Sequence, residues 1–278
     1  MVCREKTMEE NMKLTVLVDN NTFIDKYFYG EPGLCFYIED GTEKILLDTG
    51  YSDLFIRNAK KLGTDLSALT KVVISHGHDD HTGGLPHLLE RFDTSSFEVV
   101  THPDTFAEKR RGDLLTGSPV SEETMREKTL LHLSKAPIKI SEHITFLGEI
   151  PITQEFEPRP KMDMRKTPEG YVPDFILEDS ALFYETDAGI YIITGCSHAG
   201  ICNICAYAKE LTNKPILGII GGWHMKKMDE RAEKTIQYMQ KEGITEMYPC
   251  HCTSFAVKAA VHYVIPVHEV GVGLTIEW

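Results

Sequence analysis

The six residues His76-Gly77-His78-Asp79-Asp80-His81 constrain this chain more than any other stretch. Three histidines and two aspartates follow directly on KVVIS (71–75), a short apolar run that reads as a strand. A strand feeding a tight glycine turn can aim several side chains at one point. Imidazole suits zinc, iron and other first-row metals, and carboxylate compensates their charge. The spacing gives His76 and His78 to one ion. It gives Asp80 and His81 to a second, with Asp79 as a spacer. A bound divalent ion lowers the pKa of water from about 16 to about 7, and two ions clamp attacking and leaving oxygens. A polar surface loop has no need of that ligand density.

One loop cannot complete two metal sites, so the later histidines matter. TGCSHAG (194–200), GGWHM (221–225) and PCHCTS (249–254) each close an apolar run and carry His198, His224 and His251. Strand ends lying side by side in a layered sheet face one edge, which makes these three candidates for a shared site. His198 and His251 read as ligands. His224 reads as a ligand or as a general acid that contacts substrate. Cys202 and Cys205, one helical turn apart, and Cys250 and Cys252 suggest a four-thiolate or redox site, or plain core packing.

The rest of the chain alternates strands and helices. Residues 13–19 read as a strand and 20–32 as a loop. LCFYIED and KILLDTG form a hairpin around Asp40-Gly41. SDLFIRNAKKLG reads as a helix capped by Ser52, with Phe55, Ala59 and Leu62 on one face. A helix at GGLPHLLERF and a strand at FEVVTH follow. Residues 107–172 are polar and hold several prolines, and they read as an insertion or lid. Beyond them come two strands meeting near residues 187–189, then helix 200–211, strand PILGIIGG, helix 229–242, strand TEMYPC, helix 253–262 and a last strand at 270–276. This rhythm predicts an α/β layered domain over 13–278, with 1–12 as a frayed tail.

Composition bounds the partners. The 278 residues include 42% hydrophobic and 26% charged side chains, enough for a sizeable core. A net charge of −13 argues against nucleic acid and anionic membrane as partners. Seven cysteines, an odd number, and a charged start predict a cytoplasmic chain with reduced thiols. The polar excursion offers a surface through which two chains would pair as a homodimer.

HGHDDH resembles the HxHxDH signature of the metallo-β-lactamase superfamily, and KILLDTG resembles its strand ending in an aspartate, here Asp48. The resemblance implies a four-layer αββα sandwich with metals at one edge of the two sheets. It implies that Asp48 holds the metal loop from behind and that His251 completes the second metal; if the chain is a metal-hydroxide hydrolase, Asp80 binds metal and orients the nucleophile. The chain also departs from the family pattern. No His-x-Pro-Gly precedes TGCSHAG, Cys196 stands where an aspartate normally bridges the metals, and Asp179 falls in the region of the missing histidine. Two divalent ions are implied, zinc first, with iron, manganese or magnesium as alternatives.

Longer matches narrow the subgroup. VLVDN, SHGHDDHTGG, THPDTF, TGCSHAGICNI, GGWHM, HCTS and VGVGLTI together resemble the group that includes the archaeal dihydropterin ribofuranosylaminobenzene 5′-phosphate synthase of methanopterin biosynthesis. That resemblance implies condensation at a pterin methylene carbon with loss of pyrophosphate, on a small phosphorylated substrate. Arg159, Lys161 and Arg165 are candidate phosphate contacts, since an arginine fork beside lysine suits phosphate. Two other readings stay open: a metal-hydroxide hydrolase of a phosphoester, lactone or thioester, and a metal-binding redox protein.

Overall fold

The computed structural model describes residues 11–278. In chain order, β1 (Lys13–Val18), β2 (Cys35–Asp40) and β3 (Glu43–Leu47) form an antiparallel meander. Gly41, at φ +57°, supplies the left-handed residue of the β2–β3 turn. Helix α1 (Leu54–Leu62), strand β4 (Lys71–Val73), helices α2 (Asp79–Thr82) and α3 (Leu85–Arg91) and strand β5 (Glu98–Thr101) follow. Then come β6 (Lys109–Arg111), β7 (Leu114–Leu115), α4 (Glu122–Lys128), β8 (Leu130–Leu133), β9 (Ile138–Lys139), β10 (Ile144–Phe146), β11 (Asp163–Thr167) and β12 (Gly170–Asp174). The last part runs β13 (Ala181–Glu185), β14 (Ile190–Thr194), α5 (Ile201–Thr212), β15 (Ile216–Gly221), α6 (Glu230–Glu242), β16 (Glu246–Pro249), α7 (Phe255–Val264) and β17 (Thr275–Glu277).

Two large sheets result, in the orders β17-β1-β2-β3-β4-β5-β8 and β16-β15-β14-β13-β10-β9. Period-two alternation decides which side chains fill which layer. Ile45 and Leu47 of β3 turn inward to meet Leu182, Ile193 and Ile220 of the second sheet. Leu46, between them, turns outward onto Phe55 and Ala59 of α1 and Leu85 and Leu88 of α3. On the far side, Ile192, Ile219 and Met247 pack under α5, α6 and α7. The layers are therefore α, β, β, α, as the sequence resemblance implied. β3, β4 and β5 are parallel, and so are β14, β15 and β16. Their C-terminal ends carry the loops that build the site.

Three expectations need correction. Residues 107–172 are not one excursion: β8 extends the first sheet beside β5, and β10 pairs with β13 inside the second. Both strands are short, and β8 is an edge strand with Leu130 half exposed, so neither shows a strong period in sequence. Only β6, β7, β11 and β12 form a separate sheet, four-stranded, at the metal-loop edge. Ser52 stands one residue too early to be the cap position of α1, although its hydroxyl accepts the Leu54 N–H at 3.3 Å. The residue ahead of the helix is Asp53, and the Ser52 hydroxyl bonds the Glu31 carboxylate at 2.5 Å. The tail predicted over 1–12 falls mostly outside the described residues, but Met12 is fully buried and its carbonyl accepts the Trp278 N–H at 3.0 Å.

Candidate metal centre

Five loops converge at the sheet edge. The loop after β4 brings His76, His78, Asp80 and His81, the last two within the single turn α2. The loop after β3 brings Asp48. The turns after β14, β15 and β16 bring Cys196 with His198, then His224, then His251. Backbone strain marks the same loops. Asp48, Ser197, His224 and His251 all have φ between +47° and +59°, which non-glycine residues rarely adopt. Gly77 is required on space alone, since a Cβ there would collide with the Thr105 carbonyl and press on Lys109 Cε at 3.0 Å.

The donor atoms fall into three overlapping groups, each within 4.8 Å: His76, His78 and His198; Asp80, His81, Cys196 and His251; and Cys196, His198 and His224. Cys196 belongs to two of them, as a bridging side chain would. Asp179 belongs to none. It accepts the Ala199 N–H at 2.8 Å and so positions the His198 turn.

Hydrogen bonds set the orientation of four imidazoles. Asp48 accepts from Ser75 N and Ser75 Oγ, both at 2.7 Å, and from His81 Nδ1 at 2.6 Å. The Ser75 hydroxyl, already donating to Asp48, accepts from His76 Nδ1 at 3.0 Å. His78 Nε2 faces Asp163 at 3.2 Å, and His251 Nδ1 faces Asn20 Oδ1 at 3.1 Å. In each ring the nitrogen that donates outward leaves the other as a bare lone pair toward the cluster. Carboxylates back two of the rings, a hydroxyl and an amide oxygen the other two, an arrangement of the kind that orients metal ligands. Inside the cluster, His76 Nε2 lies 3.0 Å from His78 Nδ1. His81 Nε2 lies 3.2 Å from both Cys196 Sγ and His251 Nε2, and Asp80 lies 3.3 Å from His251. Nitrogens bound tetrahedrally to one zinc ion sit about 3.3 Å apart, given bonds of about 2.0 Å. Both ring nitrogens of His198 are buried without a hydrogen-bond partner. An orphaned buried imidazole beside two others fits a metal ion well and an empty polar core badly.

Electrostatics agree for two of the rings. Burial and the neighbouring cationic groups push His76 and His198 well below the ordinary histidine range, so both rings are neutral, the form that binds metal. His81 differs: burial disfavours its charged form, but Asp80 and Asp48 outweigh it and raise its pKa to about 9, so the metal-free ring is protonated and an ion would have to displace that proton. Burial pushes Asp179 up to about 6 and the Cys196 thiol well up.

Other sequence candidates land elsewhere. Arg159 donates to the carbonyls of Ile176 and of Ile150, the latter at 3.1 Å. Arg165 pairs with Asp104 at 2.7 Å, and Lys161 is exposed. Cys202 and Cys205 pack in the core under α5, while Cys250 lies between the sheets, so these thiols do not share a site. Sequence reasoning missed Asn20 and Asp163. The first lay in a motif already noted, VLVDN. The second was hidden among basic residues in the segment around 156–166.

An αββα sandwich with this donor set at its edge defines a class of metal-dependent proteins. The chain belongs to the metallo-β-lactamase superfamily, whose family model matches residues 29–211. It is 31% identical to an uncharacterized protein of Methanocaldococcus jannaschii, over 87% of this chain and 91% of that one. It is 29% identical to the 7,8-dihydropterin-6-methyl-4-(β-D-ribofuranosyl)-aminobenzene-5′-phosphate synthase of the same organism, over 88% of this chain and 89% of the other. Among solved structures, Tm1679, described as a metal-dependent hydrolase of the β-lactamase superfamily, superposes with a TM-score of 0.81 at 27% identity. That match covers 96% of this chain and 99% of Tm1679. Among the described residues, no helix is long and apolar enough to cross a membrane.

Proposed function

We propose that this chain is a two-metal enzyme that condenses a dihydropterin diphosphate with a phosphorylated arylamine. His76, His78 and His198 would hold one ion, and Asp80, His81 and His251 the other, with Cys196 between them. Bound there, divalent ions would supply Lewis acidity and charge for a departing diphosphate. The observation that carries this reading is the near full-length similarity to the synthase, joined to a donor set able to hold two ions. In such a condensation the arylamine nitrogen forms a bond to the pterin methylene carbon, the carbon–oxygen bond to diphosphate breaks, and one N–H proton leaves.

The chain's own residues then have separate tasks. Asp48, Asp163 and Asn20 fix the rings they accept from. His224 stands next to the metal ligands, its ring centroid 4.3 Å from that of His198, and is the imidazole placed to carry the departing proton. A cleft of about 620 Å³ opens beside the metal loop at Asp79 and Gly83, walled by Tyr51, Pro86, Phe106 and Leu115. Its aromatic and apolar walls suit a flat heterocycle.

The similarity to Tm1679 favours a second reading, a metal-dependent hydrolase of a phosphoester or other ester. One incubation separates the two. Protein loaded with zinc, iron or manganese is given dihydropterin diphosphate and ribofuranosylaminobenzene phosphate. Coupled product with stoichiometric pyrophosphate supports the synthase. Hydrolysis products alone support the hydrolase, and neither product in any metal form overturns both.

A further inference from the structure

A second cleft, of about 490 Å³, begins at His224 and is lined by Met225, Lys226, Lys227, Asp229 and Arg231. It adjoins the metal centre directly, because the His224 ring packs on that of His198. Its walls are cationic in a chain whose net charge is −13. Most lysines that stand near carboxylates here are paired with them, as Lys44 is with Glu39, Lys71 with Glu98 and Lys214 with Glu185. Lys226 and Lys227 are exposed and make no ion pair or hydrogen bond with any described residue.

Two other charged side chains line the cleft, the exposed Asp229 and the partly buried Arg231. The Asp229 carboxylate caps α6 by accepting the Ala232 N–H at 3.1 Å, which ties it to the helix. Arg231 sits in the first turn of α6 and is about one-quarter exposed. Its Nε forms an ion pair with the buried Glu157 carboxylate, Oε1 at 3.6 Å, but makes no hydrogen bond, so the pair is a loose one. The cleft thus presents two unpaired ammonium groups and a loosely paired guanidinium, and shares its lining with a candidate catalytic histidine. Charge-assisted bonds from Lys and Arg are the usual means of holding phosphoryl oxygens. By contrast, Arg159 and Arg165 are committed to carbonyls and to Asp104.

We propose that the cleft formed by Lys226, Lys227 and Arg231 beside His224 is an anion subsite that receives a phosphoryl group of the substrate. This assignment rests on the reading of a phosphorylated substrate and gives that group a place in the fold. It puts the phosphoryl end on the β15–α6 loop, next to His224.

The test uses the metal-loaded full chain and inorganic phosphate as the probe, with binding measured by isothermal titration calorimetry. The double variant Lys226→Glu/Lys227→Glu should weaken phosphate binding by about tenfold or more, since it replaces two charge-assisted donors by two repelling carboxylates. The double variant Lys226→Arg/Lys227→Arg should keep the wild-type affinity within a few-fold, and Arg231→Gln should weaken it. Both lysines are exposed, so unchanged circular dichroism and metal content are expected in each lysine variant. Wild-type protein that binds no phosphate, or charge-reversed protein that binds it as wild type does, overturns the subsite. Failure of the proposed reaction is distinguishable: loss of phosphate binding in the variants together with no coupling activity in wild type removes the synthase and leaves the subsite. Coupling activity with phosphate binding unchanged in the variants does the reverse.

Discussion

Lys109 is a fully buried ammonium held between two buried carboxylates, Asp174 at 2.6 Å and Glu178 at 2.7 Å. It joins β6 to the end of β12 and to the segment ahead of β13, and its chain packs against Gly77 of the metal loop. Replacing it by methionine keeps much of the volume and removes the charge. Two buried carboxylates then face one another without a cation. Breaking a buried pair from one side costs about 3–5 kcal/mol. At about 2–3 °C per kcal/mol for a chain of this size, Lys109→Met should lower Tm by roughly 6–15 °C in differential scanning calorimetry. The triple variant Lys109→Met/Asp174→Asn/Glu178→Gln should recover most of that loss, because no charge remains uncompensated. The pH dependence has a definite sign. Burial disfavours the ammonium, but Glu178 and Asp174 outweigh it and raise the Lys109 pKa. Its contribution is therefore fully present below the unfolded lysine value of about 10.4 and is lost as pH rises through the higher folded value. Wild type should lose stability on that alkaline limb, and Lys109→Met should not. A Tm change under about 2 °C, or a triple variant no more stable than the single one, would refute the argument.

Two further predictions concern the metals. In Asp48→Asn the amide nitrogen must face either Ser75 N–H or the two donors Ser75 Oγ–H and His81 Nδ1–H, so one donor meets another. Metal affinity, measured by competition with a chromophoric chelator, should fall by about 10–100-fold while circular dichroism stays the same; unchanged affinity would show that Asp48 does not orient His81. Stripping metal with a chelator should lower Tm, and returning zinc at about 100 times its Kd should restore about 2.7 kcal/mol. A Tm indifferent to both treatments would remove the metal centre.

How much of this was legible depended on how each residue signals itself. HGHDDH could be read because its candidate ligands are crowded into six residues and follow a strand. The strand-end histidines could be read because β14, β15 and β16 are apolar runs that stop abruptly at polar turns. Asp163 could not. It lies 85 positions from His78, on a half-buried strand of the small sheet, and only the pairing of β11 with β6 and β12 brings it to that ring. Asn20 reaches His251 across 231 positions by the same kind of long-range packing. The position of β8 and β10 was hidden for a different reason. They are three or four residues long, and their neighbours in the sheets, rather than their own pattern, keep them there.

The strained turns raise the question of why the chain tolerates them. Ser197 is the informative case, for it carries no ligand itself. Its φ of +57° costs about 1–2 kcal/mol against a glycine. Its hydroxyl donates to the Gly222 carbonyl at 2.7 Å and lies 3.0 Å from the Thr194 hydroxyl, tying the turn that carries His198 to the turn that carries His224. Ser197→Gly would relieve the backbone and lose that tie, worth about 0.5–1.5 kcal/mol. The two effects are of similar size, so the Tm of metal-free protein should move by no more than about 3 °C. The geometry of the site should not survive equally well. With the turns uncoupled, His198 gains freedom relative to His76 and His78, and zinc affinity should fall about tenfold, the low end of the loss seen when a ligand's supporting bond is removed. If instead Tm falls by 8 °C or so with metal affinity intact, the serine serves the fold alone. The expected pattern would mean that strain at Ser197 is retained because it fixes the relative position of two histidines that the sheets place side by side but do not lock.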